Sequence, residues 1–256
     1  MSENKLAIGL QLYTLRDDMA ADFEGTLRKA AALGYKGVEF AGYFGRSAES
    51  VRTLLDELGL TTIGSHVSLE RIKTDLQGEI DYLKTIGGKY FICPYLQPQD
   101  YESEEKWKQL FTLFQQVGIE VSKQGLVFCY HNHAFEFESH VDGQFAFDAL
   151  YGQTSPEAVQ VELDVCWVQF AGQDPLAYIR KYSGRLPLLH LKDFTKGAEG
   201  NLITLELGKG DVSLKDVIAA ATDAGVSWLV VEQDNCQIAP LDSIANSMNW
   251  LQLNYL

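Results

Sequence analysis

A single (β/α)8 TIM barrel, an α/β fold, is the fold class this sequence predicts, and three observations predict it. Eight short runs rich in β-branched and aromatic residues alternate with segments of helical periodicity along the whole length. Dividing 256 residues among eight such units gives 32 each, enough for a strand, a helix and two loops, and barrels of this kind typically run to about 250 residues. No GxGxxG follows the first run, where an open nucleotide-binding sheet would carry it; Gln11-Leu-Tyr-Thr-Leu-Arg16 stands there instead. No Pro/Ser-rich linker or change of composition divides the chain, so one domain over residues 1–256 is expected.

The strand candidates, in order, are residues 8–13, 37–41, 61–66, 90–95, 126–133, 159–165, 186–194 and 228–234. After the first, Met19, Phe23, Leu27, Ala30 and Ala31 recur at spacings of three and four and predict one apolar helix face. Trp107, Leu110, Phe111, Phe114, Val117 and Val121 draw a similar stripe between the fourth and fifth strands. Asp174 before Pro175 reads as an N-cap with proline at the first helical position. Ser213 with Asp216 reads as a variant capping box for a helix ending near Gly225, and a last helix spans about residues 241–253. Strict βα alternation implies a parallel sheet covered by helices.

Composition narrows the class of function. Of the residues, 46% are hydrophobic and 22% charged, which excludes collagen-like, disordered and disulfide-scaffold chains. No apolar run reaches the roughly 18 residues of a membrane span, and Met1 to Lys5 lead into the first strand without a signal-peptide layout. The four cysteines, Cys93, Cys129, Cys166 and Cys236, show no CxxC spacing and read as reduced, buried thiols of a cytoplasmic protein. A net charge of −14 opposes nucleic acid or anionic membrane as partner, since phosphates are gripped by Lys and Arg. The expected partner is a small molecule, with further copies of the chain, as a homo-oligomer, left open.

In a barrel, polar residues near the C-terminal strand ends face a common pocket, and residues two apart share a face. That rule gathers Gln11 and Tyr13, Glu39, His66, His131 and His133, Glu162 and Asp164, His190 and Lys192, and Glu232 and Asp234. Four of the five histidines fall on these ends, a concentration that points to a site rather than to scattered structural roles. His131, Asp164, His190 and Glu232 sit one per strand at the tips of the fifth to eighth strands. Two imidazoles and two carboxylates suit Mn, Zn, Co or Fe(II) better than Ca or Mg, and the two carboxylates balance one divalent cation. For His131 the plainer role is a hydrogen-bonded histidine beside the site. Glu162 is expected one layer deeper, supporting a ligand. Lys192 could orient a substrate oxygen or form a salt bridge to Asp234 or Glu232. Glu39, His66, Tyr13 and Trp167 are expected substrate contacts, Trp167 by stacking, although a strand-end aromatic is as often plain core. His140 reads as a surface residue, and Gly208-Lys209-Gly210 as a weak phosphate cradle.

The runs Gln11-Leu-Tyr-Thr-Leu-Arg16, Gly37-Val-Glu-Phe40, Tyr130-His-Asn-His133, Leu163-Asp-Val-Cys-Trp167, His190-Leu-Lys-Asp193 and Val231-Glu-Gln-Asp234 together resemble the xylose-isomerase-like TIM-barrel family, within it the sugar phosphate isomerase/epimerase group. The resemblance covers essentially the full chain and keeps the order of the motifs. It implies a divalent metal, most often Mn, held by Glu, Asp, His and Glu from the fifth to eighth strands, and Asp164, His190 and Glu232 match the last three positions. His131 stands where the family usually has Glu. The epimerases of the family exchange protons between two metal-bound glutamates on opposite faces of the sugar, and His131 removes that symmetry. His133 then becomes the natural second acid/base.

The resemblance therefore implies a metal-dependent sugar isomerase/epimerase working through an enediolate. Glu232 or His133 would take the proton, and Lys192 would serve the developing oxygen charge. Relatives with an acid/base histidine at this place cleave or dehydrate keto-sugars, so a keto-sugar lyase, including 3-keto-glycoside cleavage, is the alternative. A phosphorylated substrate is less expected than a neutral one, because only Lys192 and Arg16 could meet a phosphate. An apurinic-site endonuclease is opposed by the net charge, and a non-catalytic sugar-binding relative would bind no divalent ion.

Overall fold

The computed structural model describes residues 5–256, and the reading of residues 1–4 lies outside them. The eight barrel strands are β1 (Ala7–Gln11), β2 (Gly37–Phe40), β3 (Thr61–His66), β4 (Tyr90–Cys93), β5 (Val127–His131), β6 (Gln160–Asp164), β7 (Leu188–Leu191) and β8 (Trp228–Val231). All neighbours pair in parallel, and β1 pairs with both β2 and β8, so the sheet closes. The expected single barrel is the fold observed.

The covering helices are α1 (Phe23–Leu33), α2 (Ala48–Leu58), α3 (Leu69–Thr85), α4 (Glu104–Lys123), α5 (Ala146–Gly152), α6 (Pro175–Lys181), α7 (Leu214–Asp223) and α8 (Pro240–Asn254). The stripe from Trp107 to Val121 is buried on α4, and Asp174 caps α6 by accepting from the Leu176 N–H at 2.9 Å. Two expectations change. The first helical stretch is two helices, because Asp22 leaves the helical region (φ −148°, ψ 83°) and caps α1 through the Gly25 N–H, while Met19, Phe23, Leu27 and Ala30 still face inward. Ser213 precedes α7 without a side-chain capping bond, so the capping box does not form.

Inside the barrel an apolar plug of Ile63, Tyr90, Ile92, Cys129, Leu188 and Val230 fills the lower half. Gly37 is required there, because a Cβ would lie 2.9 Å from both Ile63 and the Trp228 ring. Between β2 and β3 the register shifts: Val38 faces Thr62 but Glu39 faces Gly64, leaving Ile63 as the extra residue of a bulge. The bulge lets Ile63 join the plug while His66, three residues on, still turns inward above it. Among the described residues no helix is long and apolar enough to cross a membrane. Cys93, Cys129 and Cys166 are buried free thiols, Cys236 is half-buried, and His140 is exposed in a short hairpin of His140–Val141 and Gln144–Phe145.

Candidate active site

Above the plug, two layers of ionisable side chains stand in the barrel mouth. The lower layer holds Glu39, His66 and Glu162, and the upper holds Asp164, Lys192, Glu232 and Asp234. His131 and His190 join them. His190 sends Nε2 to Glu39 Oε1 at 2.9 Å and Nδ1 to Glu232 Oε2 at 2.8 Å. His131 Nδ1 lies 3.2 Å from Glu162 Oε2, and its Nε2 lies 3.7 Å from Asp164 Oδ2. A neutral imidazole has one N–H and one lone pair. His131 Nδ1 faces Glu162 without an aligned hydrogen bond, and His190 sets both nitrogens against carboxylates. An ion bound above would take one lone pair from each neutral ring, with the N–H left to Glu162 and Glu39 below. His66 Nε2 ties the two supports together, 3.0 Å from Glu39 and 2.9 Å from Glu162.

His131, Asp164, His190 and Glu232 each offer a ligand atom, all within 4.8 Å of one another. The donor set fits a divalent ion. His131 Nδ1 is buried without a hydrogen-bond partner, and Asp164 Oδ2 has no aligned one although the Lys192 ammonium stands 2.9 Å away. A second convergent group, His66, His131, Glu162 and His190, lies deeper. Its imidazoles and carboxylate already pair with one another and do the positioning described above. The upper carboxylates meet one buried ammonium. Lys192 Nζ lies 2.7 Å from Glu232, 2.9 Å from Asp164 and 2.9 Å from Asp234, so this fully buried lysine makes the salt bridges and stands behind the cavity wall.

Titration follows from this packing. Burial opposes charge on His66, but Glu39 and Glu162 outweigh it and raise the imidazole to about 9. His190 is raised well above its ordinary value, with Glu162, Glu39 and Glu232 overcoming its burial. Burial raises Asp164 to about 6 against the pull of Lys192 and His190. Glu232 is also buried, yet Lys192 and His190 hold it well below the usual carboxylate range. For His133, burial and the Lys192 ammonium act together and push the imidazole down to about 3, so it is neutral.

Local sequence explains the placement. Asn132 locks the tips of β5 and β6: its Oδ1 accepts from Asp164 N at 2.9 Å, and its Nδ2 donates to the Asp164 carbonyl at 3.3 Å. Asp164 caps the short helix Val165–Phe170 by accepting from Trp167 N, which brings the indole to the rim. Glu136 accepts from the His133 N–H at 2.9 Å and from the Tyr130 hydroxyl at 2.7 Å, fixing the loop that carries His133. Neither Asn132 nor Glu136 was singled out in the sequence, although both flank the histidine pair in the run 130–136.

The cavity over these groups has a volume of about 500 Å³, and Tyr13, Tyr95, His133 and Trp167 supply its aromatic wall, with His66, His131, Glu232 and Asp234 at its floor. Tyr13, Trp167 and His66 therefore reach the cavity. Glu39 does not: it is fully buried, accepts from Gln11 Nε2 at 2.7 Å and serves His190 from below. Tyr95, placed at the end of a strand candidate, is a wall residue the sequence did not reveal. The wall also lacks a phosphate grip. Arg16 lies over the Tyr13 ring and donates to the Tyr13 and Asp234 carbonyls. The N–H groups of Gly208 and Gly210 both donate at 2.9 Å to Asp193 Oδ2, so the chain's own carboxylate fills that cradle.

A family model described as xylose isomerase-like TIM barrel matches residues 27–253. An inosose dehydratase of Lacticaseibacillus casei is 21% identical over 90% of this chain and 88% of its own length. A sugar phosphate isomerase/epimerase of Parabacteroides distasonis superposes with a TM-score of 0.83 at 24% identity, over 98% of this chain and 95% of its own. The IOLI protein, solved with a zinc atom bound, superposes with a TM-score of 0.79 at 14% identity, over 97% of this chain and 98% of its own.

Proposed function

The chain belongs to the xylose isomerase-like TIM barrel family, and from that premise we propose that it is a metal-dependent lyase that dehydrates or cleaves a neutral keto-sugar or keto-cyclitol. This moves the weight from isomerisation to the alternative the sequence carried. The observation that carries the proposal is the donor cluster His131, Asp164, His190 and Glu232 under an aromatic wall, with an imidazole where two-carboxylate proton exchange needs a glutamate. The inosose dehydratase name of its relatives and the zinc of the IOLI protein support it.

In this reading His131, Asp164, His190 and Glu232 hold the ion, with Glu162 and Glu39 fixing the two imidazoles. A borderline divalent ion such as Zn or Mn supplies Lewis acidity toward the substrate carbonyl. The rest falls to side chains. Glu232 is engaged by both Lys192 and His190, which leaves it a poor base. His133 is neutral and, with Nδ1 buried and unpartnered, offers Nε2 to the cavity. The burial and the Lys192 ammonium that keep it neutral also make it a weak base, so the C–H it meets must first be acidified by the Lewis acid. His133 takes the proton from the carbon next to the carbonyl, and the ammonium of Lys192 steadies the oxygen charge that develops. Because burial and Lys192 disfavour the imidazolium, His133 readily passes that proton to the departing β-oxygen. The C–O bond breaks as the C=C bond forms, and the leaving group departs as water or an alcohol. Tyr13, Tyr95 and Trp167 hold the ring and exclude water.

The test is incubation of Zn- or Mn-loaded protein with an inosose and with simple ketoses in D2O, followed by NMR. An unsaturated product is expected. Deuterium exchange without elimination selects the isomerase/epimerase reading, and no turnover with no bound ion selects a non-catalytic sugar binder.

A further inference from the structure

The main cavity does not end at Tyr95. Ser68, Pro94 and Tyr95 line it and equally line a second cavity of about 400 Å³ that runs out between the start of α3 and the loop after β4. Tyr95, 40% exposed, stands between the two, its ring held edge-on by His133 and Phe135 at centroid distances of 5.0 and 5.7 Å. The far wall is preformed. In the turn Pro98–Asp100, Asp100 Oδ2 accepts from Gln97 N at 2.9 Å, and Lys106 Nζ donates to the Gln99 carbonyl at 3.0 Å.

The chemistry of this groove selects its occupant. The side chains of Gln97, Gln99 and Thr74 are exposed along it. Lys73 is the ammonium on the wall and lies 3.9 Å from Asp100, while Glu70 adds a second carboxylate. An anionic group would meet two carboxylates against one paired ammonium, whereas hydroxyls find amides and an aromatic edge. We propose that this groove is a second subsite, taking a neutral sugar ring joined to the one in the main cavity, so that the preferred ligand is a disaccharide or glycoside rather than a single ring. The proposal rests on the keto-sugar reading for the occupant of the first cavity.

The test compares binding of fructose with that of isomaltulose, the same ketose carrying a second hexose, by calorimetry or NMR titration of the full chain. Isomaltulose is expected to bind about tenfold more tightly, the worth of one or two added hydrogen bonds. The double variant Gln97→Ala/Gln99→Ala is expected to close that gap with fructose binding unchanged and the melting temperature within a few degrees. Equal affinity for the two sugars in the wild type, or an undiminished gap in the variant, overturns the proposal. Turnover is read separately. Elimination from a keto-sugar without preference for isomaltulose removes the subsite and leaves the catalytic reading standing, while preference without turnover does the reverse.

Discussion

Glu162 and Glu39 never touch the cavity, yet they decide which nitrogen of His131 and His190 is free. Replacing Glu162 by Gln keeps the volume but lets an amide N–H face His131 Nδ1, which favours the wrong tautomer. Affinity for Zn or Mn is expected to fall by roughly 10–100-fold with the fold intact, read by titration against a chelating indicator. His190→Ala, which deletes a proposed ligand, should reduce bound metal at least as far. Full occupancy in either variant would remove that histidine from the donor set. A different kind of residue is Glu136, which burial raises to about 8 from an ordinary 4.5 despite its bonds to Tyr130 and His133. Between those values the folded chain keeps a proton that the unfolded chain has lost, so this group's stabilisation is full below about 4.5 and fades as pH rises toward 8. Glu136→Gln cannot titrate. Its melting temperature relative to wild type should therefore climb steadily across that window, and a constant difference would refute the assignment.

At the scale of elements, periodicity marks faces but neither depth nor endings. Alternation correctly turned Glu39 inward, but the same parity serves a residue at the floor and one under it, so its burial beneath His190 was invisible. Strand candidates ran long because residues such as Tyr13, His133, Lys192 and Glu232 continue the β-like pattern after ladder pairing has stopped. The bulge at Ile63 left no mark that alternation could show. Asp193 illustrates what local motifs conceal. Its carboxylate gathers the N–H groups of Phe194, Gly208, Gly210 and Val212 at 2.9–3.1 Å, tying the hairpin Asp193–Lys196/Leu202–Leu205 to the loop before α7. Asp193→Ala would orphan several of these donors, and a loss of about 2–4 kcal/mol is expected from denaturant melts. Gly210→Ala should be comparably harmful, since its Cβ would fall 2.4 Å from the Phe194 carbonyl. A surface-like effect in both variants would show that the loop is not held this way.

For the molecule as a whole, eight βα units, closure and the general position of the site were legible because each rests on a repeated pattern. What the pattern could not carry was charge accounting across strands. Glu39, Glu162, Asp164, Glu232 and Asp234 converge within one barrel mouth, against the single lysine Lys192 and whatever protons the histidines retain. Buried carboxylates repel one another through a medium that screens them poorly, so a further cation bound among them would relieve that repulsion. In the proposed site one ion draws on β5, β6, β7 and the residue after β8 together, and its binding free energy is then stability of the closed barrel. At a free-ion concentration 100 times the dissociation constant, linkage adds about 2.7 kcal/mol, which for a chain of this size raises the melting temperature by roughly 5–10 °C. Adding Zn or Mn to chelator-treated protein should produce that rise, growing with the logarithm of ion concentration. His190→Ala should flatten the response while remaining folded. A wild-type melting temperature indifferent to divalent ions would mean that Lys192 and the protonated histidines neutralise the mouth by themselves.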